Sequence, residues 1–207
     1  MGRMLKVGLT GGIATGKSTV ARMFQEHGIP VVNSDLVARE VVEPGTEGHK
    51  LVVEAFGKEI LNPDGSINRK RLGELVFSDP QKRKRLEEIL HPLITRRMGQ
   101  KLEALEKAGV PLVVVEVPLL FEKGLQRSMD FTVVVRAPEK VQIKRLMQRD
   151  GLSEQQALKR IKSQMPLEKK VKMADFVIDN SGDLEATKKQ VSHVIKHLME
   201  MARAGGR

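Results

Sequence analysis

Cysteine, tyrosine and tryptophan are absent from the 207 residues, and six phenylalanines are the whole aromatic content. Without cysteine, disulfides and thiolate metal sites are excluded. So few aromatics leave little surface for stacking nucleobases, which argues against a single-strand nucleic-acid binder. No apolar run approaches the ~20 residues of a membrane-spanning helix. The opening "MGRMLKVGLT" runs straight into a predicted strand, with no signal-peptide segment or cleavage site. The expectation is a cytoplasmic protein with no nucleic-acid or membrane partner, a monomer or weak homo-oligomer.

What is abundant is positive charge. The net charge is +10 and the pI about 9.9. The surplus concentrates in Gln81 to Arg97 and in Lys140 to Gln164. A small polyanionic ligand would suit such a surplus, and so would ordinary solvated helix faces.

Apolar runs predict strands at Met4 to Leu9, Ile29 to Asn33, Val110 to Pro118, Asp130 to Ala137 and Ala174 to Gly182. The run "VPLVVVEVP" reads as a strand buried on both faces. Helical periodicity follows the first strand, and Val37, Ala38, Val41 and Val42 give the next helix an apolar face. Ser34 or Asp35 is its expected cap. Helices are predicted over Thr46 to Phe56 and Asn68 to Phe77. Asp79-Pro80 opens another, which should break at His91-Pro92 because the residue before proline leaves the α region. Ser153 and Gln156 form a capping box. The last helix carries Val191, Val194, Ile195 and Leu198, with Met201 to Arg207 frayed. Strands and helices in this order predict an α/β fold with a parallel sheet. The roughly eighty residues between strands two and three exceed a simple connection, so they form a helical insert.

"GLTGGIATGKSTV" lies between the first strand and its helix. Gly11, four residues, then Gly16-Lys17-Ser18 match G-x-x-x-x-G-K-[ST], in the strand-to-helix context that gives the pattern meaning. Glycines let the backbone wrap a phosphate, and the helix adds its positive end. Lys17 is suited to the β and γ phosphates and Ser18 to Mg²⁺. The site should hold a nucleoside triphosphate. No N-K-x-D is present to read guanine, and the D-x-x-G at Asp179 to Gly182 lies too late for a GTPase switch. The nearest acidic strand, Val113-Val114-Val115-Glu116, runs at once into Val117-Pro118, unlike a mechanical ATPase. A small-molecule kinase fits best.

"GLTGGIATGKST", "VVNSDLVAREVVEPG", "LHPLI", "VPLLFE", "RLMQRDGLSEQQALKRIKSQ" and "ADFVIDNSG", in this order, resemble the dephospho-coenzyme A kinase family over nearly the whole chain. The family loop usually reads G-G-I-G-S-G-K-S-T, and here Ala14 and Thr15 replace Gly and Ser. Ala14 would be strained if its position needs positive φ. Where the family often has D-A-D, Asn33-Ser34-Asp35 keeps only the second acid. The resemblance implies a P-loop kinase fold with a sheet of about five strands. Its parts would be a nucleotide core (about 1–56, 110–141 and 174–207), a helical acceptor-binding insert (about 57–109) and a helical lid (about 142–173). It implies transfer of the γ-phosphoryl of ATP, with Mg²⁺, to the ribose 3′-hydroxyl of dephospho-coenzyme A. Another nucleoside or nucleotide kinase, and a non-catalytic nucleotide-dependent binding protein, are the alternatives.

The nucleotide-binding candidates are Gly11, Gly12, Ile13, Ala14, Thr15, Gly16, Lys17, Ser18 and Thr19, with Arg145 and Asn180. Asp35, Lys17 and Arg149 are the catalytic candidates. Asp35 follows strand two, where ligands of open α/β sheets bind, and reads as general base or as helix cap. Arg39, one turn on, would hold the acceptor's phosphate or pair with Glu43. His91 borders the acceptor site in the family, or is merely a surface imidazole. Leu119, Leu120 and Phe121 read as apolar wall, part core and part pocket. Glu116 is the carboxylate candidate for metal, beside Ser18. Arg145, Arg149 and Arg160 form the lid charge, with Arg145 and Arg149 on one helix face. Asn180 sits in a turn that would lie beside adenine, or is a plain turn.

Overall fold

The apolar run after the N-terminus becomes β1 (Leu5–Gly11), which continues two residues past Leu9 into the glycine loop. The computed structural model describes residues 3–205. The first unit holds the chain up to Val32 and from Leu105 onward; the second is Asn33–Ala104.

The first unit carries α1 (Lys17–Glu26), and β2 (Val31–Asn33) ends at the boundary. After the helical unit come β3 (Leu112–Glu116), β4 (Phe131–Arg136), α6 (Glu139–Asp150), α7 (Glu154–Lys162), α8 (Leu167–Met173), β5 (Phe176–Asp179) and α9 (Leu184–Ala204). The helical unit carries α2 (Ser34–Glu40), α3 (Glu47–Phe56), α4 (Arg69–Phe77) and nearly all of α5 (Pro80–Lys107).

The five strands form a parallel sheet in the order β2-β3-β1-β4-β5. β1 is central, with Leu9 opposite Glu116 of β3 and opposite Val133 of β4. Alternate strand residues, among them Val7, Leu9, Val114, Val133, Val135 and Ile178, share one core with Val20 and Phe24 of α1 and with Val191 and Leu198 of α9. That is the period-two burial of a strand meeting the helical stripes of the two covering helices. β3 is buried along its whole length, as its continuous apolar run requires. On the other face Leu120 is fully buried against the Gly8 position of β1. The mouth of the sheet therefore lies at the carboxyl ends of β1 and β3, which open α/β sheets use for ligands.

Local rules explain most boundaries. Thr46, Asn68 and Asp183 cap α3, α4 and α9 with side-chain oxygens. The Ser153–Gln156 capping box opens α7. The helix break expected at His91-Pro92 does not occur. α5 passes through Pro92 without a break at His91. Proline removes the bond to the carbonyl four residues earlier, but Glu88 and Pro92 are both exposed, so water can serve that carbonyl. Leu93 is buried in the same helix and holds it to the unit. The final helix also persists beyond the expected fraying point, to Ala204; Gly206 and Arg207 lie outside the described residues.

Candidate active site

The glycine loop between β1 and α1 is fastened from outside, almost one carbonyl at a time. Lys170 of α8 donates to the Gly11 carbonyl at 3.3 Å. Thr15 Oγ1 donates to that of Gly12 at 2.8 Å. Gln142 Nε2 of α6 donates to Ile13 at 2.9 Å, and Arg145 Nη1 to Ala14 at 3.3 Å. Asn180 Nδ2 donates to Thr15 at 2.8 Å. Donors thus engage the carbonyls of Gly11 through Thr15 in turn, so the shape of the loop is set before any anion arrives. A glycine-rich turn between a strand and a helix N-terminus is suited to an anion.

The loop adopts the backbone its sequence suggests. Gly16 has φ of 89°, and a Cβ there would come within 2.0 Å of Asn180 Nδ2. Ala14 has φ of 56°, a left-handed conformation reached by no other non-glycine among the described residues. Such a conformation costs a side-chain-bearing residue roughly 1–2 kcal/mol. The strain expected from the Gly-to-Ala departure is present.

α1 starts at Lys17 with no side-chain cap and no acidic residue in its first turn. Its positive end is therefore not offset locally and suits a phosphate. Ser18 is exposed in that first turn. Glu116 is buried at the carboxyl end of β3, opposite Leu9. A hydroxyl and a carboxylate are hard oxygen donors, the chemistry Mg²⁺ prefers. Among the described residues no group of three or more His, Cys, Asp or Glu could hold a metal. An ion here would complete its shell with phosphate oxygens and water, as Mg²⁺ commonly does.

Asn180 is a structural tie as well as a turn residue. Its Oδ1 accepts from Thr187 Oγ1 of α9 at 2.9 Å, and its carbonyl accepts from Arg145 Nη2 at 2.8 Å. Arg145 thus bridges Ala14 and Asn180. Its neighbour Arg149 has a separate role. Arg149 meets the Asp150 carboxylate with two bonds of 2.7 and 3.0 Å, and Arg160 of α7 adds a third at 2.7 Å. The hydrogen bonds from Arg149 hold the Asp150 carboxyl below its usual range, with the charges of both arginines adding to the effect. Leu120 and Phe121 are buried, and Leu119 is half-buried.

In the helical unit the cap of α2 is Asn33. Its Oδ1 accepts from the N–H groups of Asp35 at 2.9 Å and Leu36 at 3.1 Å. Asn is as good a cap as Asp, so the departure from the family's first acid preserves this duty. Neither Ser34 nor Asp35 is needed for it. The Arg69 guanidinium is pushed below its ordinary pKa by burial first, then by the charge of Arg39, while Asp35 opposes the shift. Asp35, Arg39 and Arg69 therefore share one electrostatic neighbourhood. A cleft of about 560 Å³ opens in this unit, lined by Thr46, Leu93, Arg96 and Arg97 among others. His91 is exposed on α5.

The family model for dephospho-CoA kinase matches residues 5–186. The chain belongs to the dephospho-CoA kinase family. It is 49% identical to the dephospho-CoA kinase of Listeria monocytogenes serotype 4b, over 94% of this chain and 97% of that one. Among solved structures, a protein of Thermus thermophilus superposes with a TM-score of 0.81 at 37% identity, covering 95% of this chain and 98% of the other. The dephospho-CoA kinase of Campylobacter jejuni gives 0.72 at 30% identity, covering 96% and 98%. Membership makes the chain a kinase, and it confirms the resemblance read from the ordered motifs.

Sequence reasoning missed Lys170, Gln142 and Arg69. Lys170 sits three residues after Leu167, on the inward face of α8, and that spacing was the available signal. Gln142 and Arg69 are polar residues in charged helices, and no pattern separates them from surface positions.

Proposed function

We propose that the chain transfers the γ-phosphoryl of ATP to the ribose 3′-hydroxyl of dephospho-coenzyme A. The observation carrying this reading is the loop held from behind by Lys170, Gln142, Arg145 and Asn180, with Lys17 at the start of an uncapped helix. Preorganised N–H dipoles aimed at a polyphosphate are the main device of phosphoryl transfer, which depends on positioning and charge stabilisation.

In this reading the backbone N–H groups of the Gly11 to Thr19 stretch hold the phosphates, and Lys17 neutralises the charge of the β and γ groups. Ser18, with Glu116 behind it, holds Mg²⁺, which offsets phosphate charge when bound. Asp35 takes the proton of the attacking hydroxyl, and since Asn33 does the capping its carboxylate has no competing duty there. Arg39 and Arg69 hold an anionic group of the acceptor, with His91 at the margin of the same helical unit. Of the three apolar wall residues, Leu119 is the one with exposed surface to offer a ligand.

The ends of the expected lid are fastened to the phosphate loop at Gln142, Arg145 and Lys170. A closing movement then belongs to the stretch between them, which contains Arg149 and Arg160. Their guanidiniums are held in readiness by Asp150 and exchange that carboxylate for the transferring phosphoryl. The protein works in the cytoplasm, where both substrates are small molecules.

The test is ADP release with ATP and Mg²⁺ across dephospho-coenzyme A, AMP, adenosine and no acceptor. Mass spectrometry identifies the product, and Lys17→Ala controls for contaminating activity. Coenzyme A formed selectively supports the reading. Transfer only to AMP or adenosine, or hydrolysis alone, overturns it.

A further inference from the structure

Lys170 has no solvent exposure at all, unusual for a side chain that normally snorkels its ammonium to water. Its Nζ reaches two groups: the Gly11 carbonyl at 3.3 Å and Glu122 Oε1 at 2.6 Å. Glu122 comes from the segment directly after β3, in the run Pro118-Leu119-Leu120-Phe121-Glu122; both its carboxylate oxygens are buried without a hydrogen bond of good geometry, so its tie to Lys170 is an ion pair. The pair thus links two segments distant in sequence, α8 and the β3 exit, beneath the first carbonyl of the phosphate loop.

A buried ion pair is weak evidence of stability. Desolvating both charges offsets most of their attraction, and well-packed apolar replacements are often neutral or stabilising. What such a pair can do is fix an orientation that an apolar residue cannot fix. Here the fixed group is the Gly11 carbonyl, where β1 turns into the loop. Gln142 and Asn180 fix the carbonyls of Ile13 and Thr15 with neutral amides, and Arg145 fixes that of Ala14. Lys170 is the tie at the strand end of the loop, and Glu122 balances its charge so that the loop is not left with an uncompensated ion beneath it.

We propose that Lys170, held by Glu122, is a positioning residue for nucleotide binding: it fixes the Gly11 carbonyl and so the point at which β1 turns into the phosphate loop. This rests on the loop being the ATP phosphate site, and not on which acceptor is used. Lys170 never touches the nucleotide. Its effect falls on ATP affinity and leaves the acceptor's affinity alone.

The experiment compares Lys170→Met, Glu122→Leu and the double variant Lys170→Met/Glu122→Leu with the wild type. Equilibrium binding of ATP without acceptor, KM for each substrate, kcat and Tm are measured on all four. Lys170→Met is expected to weaken ATP binding about tenfold, the scale of a lost hydrogen bond involving a charged group. KM for the acceptor should stay within about twofold, since only loop orientation changes. The double variant removes the orphaned carboxylate, so it should be at least as stable as Lys170→Met while keeping the ATP defect. It also decides the matter if the single variant fails to fold. Wild-type ATP affinity in a folded double variant, or equal losses for both substrates, overturns the proposal. Wild-type ATP binding without coenzyme A formation would sink the proposed reaction and leave this inference standing, because the readout needs no acceptor.

Discussion

Asn180 donates to the carbonyl of Thr15 at 2.8 Å, joining the turn after the last strand to the loop after the first. The same amide is the atom a Cβ on Gly16 would strike. Replacing Asn180 by Ala leaves the Thr15 carbonyl without its buried partner, while the Thr187 hydroxyl keeps its 3.3 Å bond to the Asp183 carbonyl. An unmet buried polar group costs about 1–3 kcal/mol. Asn180→Ala should therefore lose about 1–3 kcal/mol in urea unfolding and raise KM for ATP. Gly16→Ala should abolish ATP binding, because the added Cβ meets the Asn180 amide at 2.0 Å and its φ of 89° also strains alanine.

Ala14 gives the opposite sign. Glycine would relieve the left-handed strain of about 1–2 kcal/mol, less about 0.5–1 kcal/mol of extra chain entropy. The net is a gain of up to about 1.5 kcal/mol, or up to about 6 °C in Tm for a chain of this size. Thermal unfolding of Ala14→Gly checks it; a lower Tm would count against the strain.

Asn33 caps α2, so the role proposed for Asp35 can be tested apart from capping. Asn33→Ala should cost about 1 kcal/mol of stability through the lost cap. Asp35→Asn should leave Tm nearly unchanged while turnover falls about 10²–10⁴-fold, the range of a general base. Turnover near wild type in Asp35→Asn would remove Asp35 from the chemistry.

Arg149 grips Asp150 through both its Nε and an Nη, a fork that lysine lacks. Arg149→Lys should lower kcat by about tenfold or more, beyond what its preserved charge would suggest. An unchanged rate would show that the forked guanidinium has no part in closing over the phosphoryl.

Glu40 of α2 meets Lys101 at 2.9 Å and Arg97 at 3.2 Å, both on α5. The hydrogen bond from Lys101 is the largest cause of its lowered pKa, with Arg97 adding to it against some desolvation. A carboxyl depressed in the folded state stabilises above its unfolded value of 4.5, and that contribution is lost as the pH falls through the folded value. The group is about a third exposed, so solvent screening keeps the effect small. The Tm gap between wild type and Glu40→Gln should be present at pH 7 and close below pH 4.5. A gap that persists in acid would mean that packing, not charge, ties α2 to α5.

Much of this was legible beforehand. The five strands, the phosphate loop, the Ser153–Gln156 box and the strain at Ala14 all follow from short-range rules, and short-range rules are visible in sequence. The continuity of α5 through Pro92 is not visible in sequence, because a proline's effect depends on whether water reaches the carbonyl it abandons. Asn33 both ends β2 and caps α2, so the cap precedes the Ser34 and Asp35 that the pattern suggests. Lys170 is hard to tell from Lys169 and Lys172 in the sequence, its spacing from Leu167 being the one sign of an inward face. Arg145 and Arg149 share a helix face by spacing, yet one is tied to the loop and the other to Asp150.

The loop's carbonyl partners also bear on synthesis. The motif residues leave the ribosome early, but the side chains that orient their peptides lie at 142, 145, 170 and 180. A growing chain carries the whole phosphate signature long before it can use it. Nucleotide affinity should arrive late and abruptly, once residue 180 has emerged and the turn after β5 has docked. Chains truncated before that point would keep the motif and still fail to hold ATP, so the signature is completed by the far end of the polypeptide.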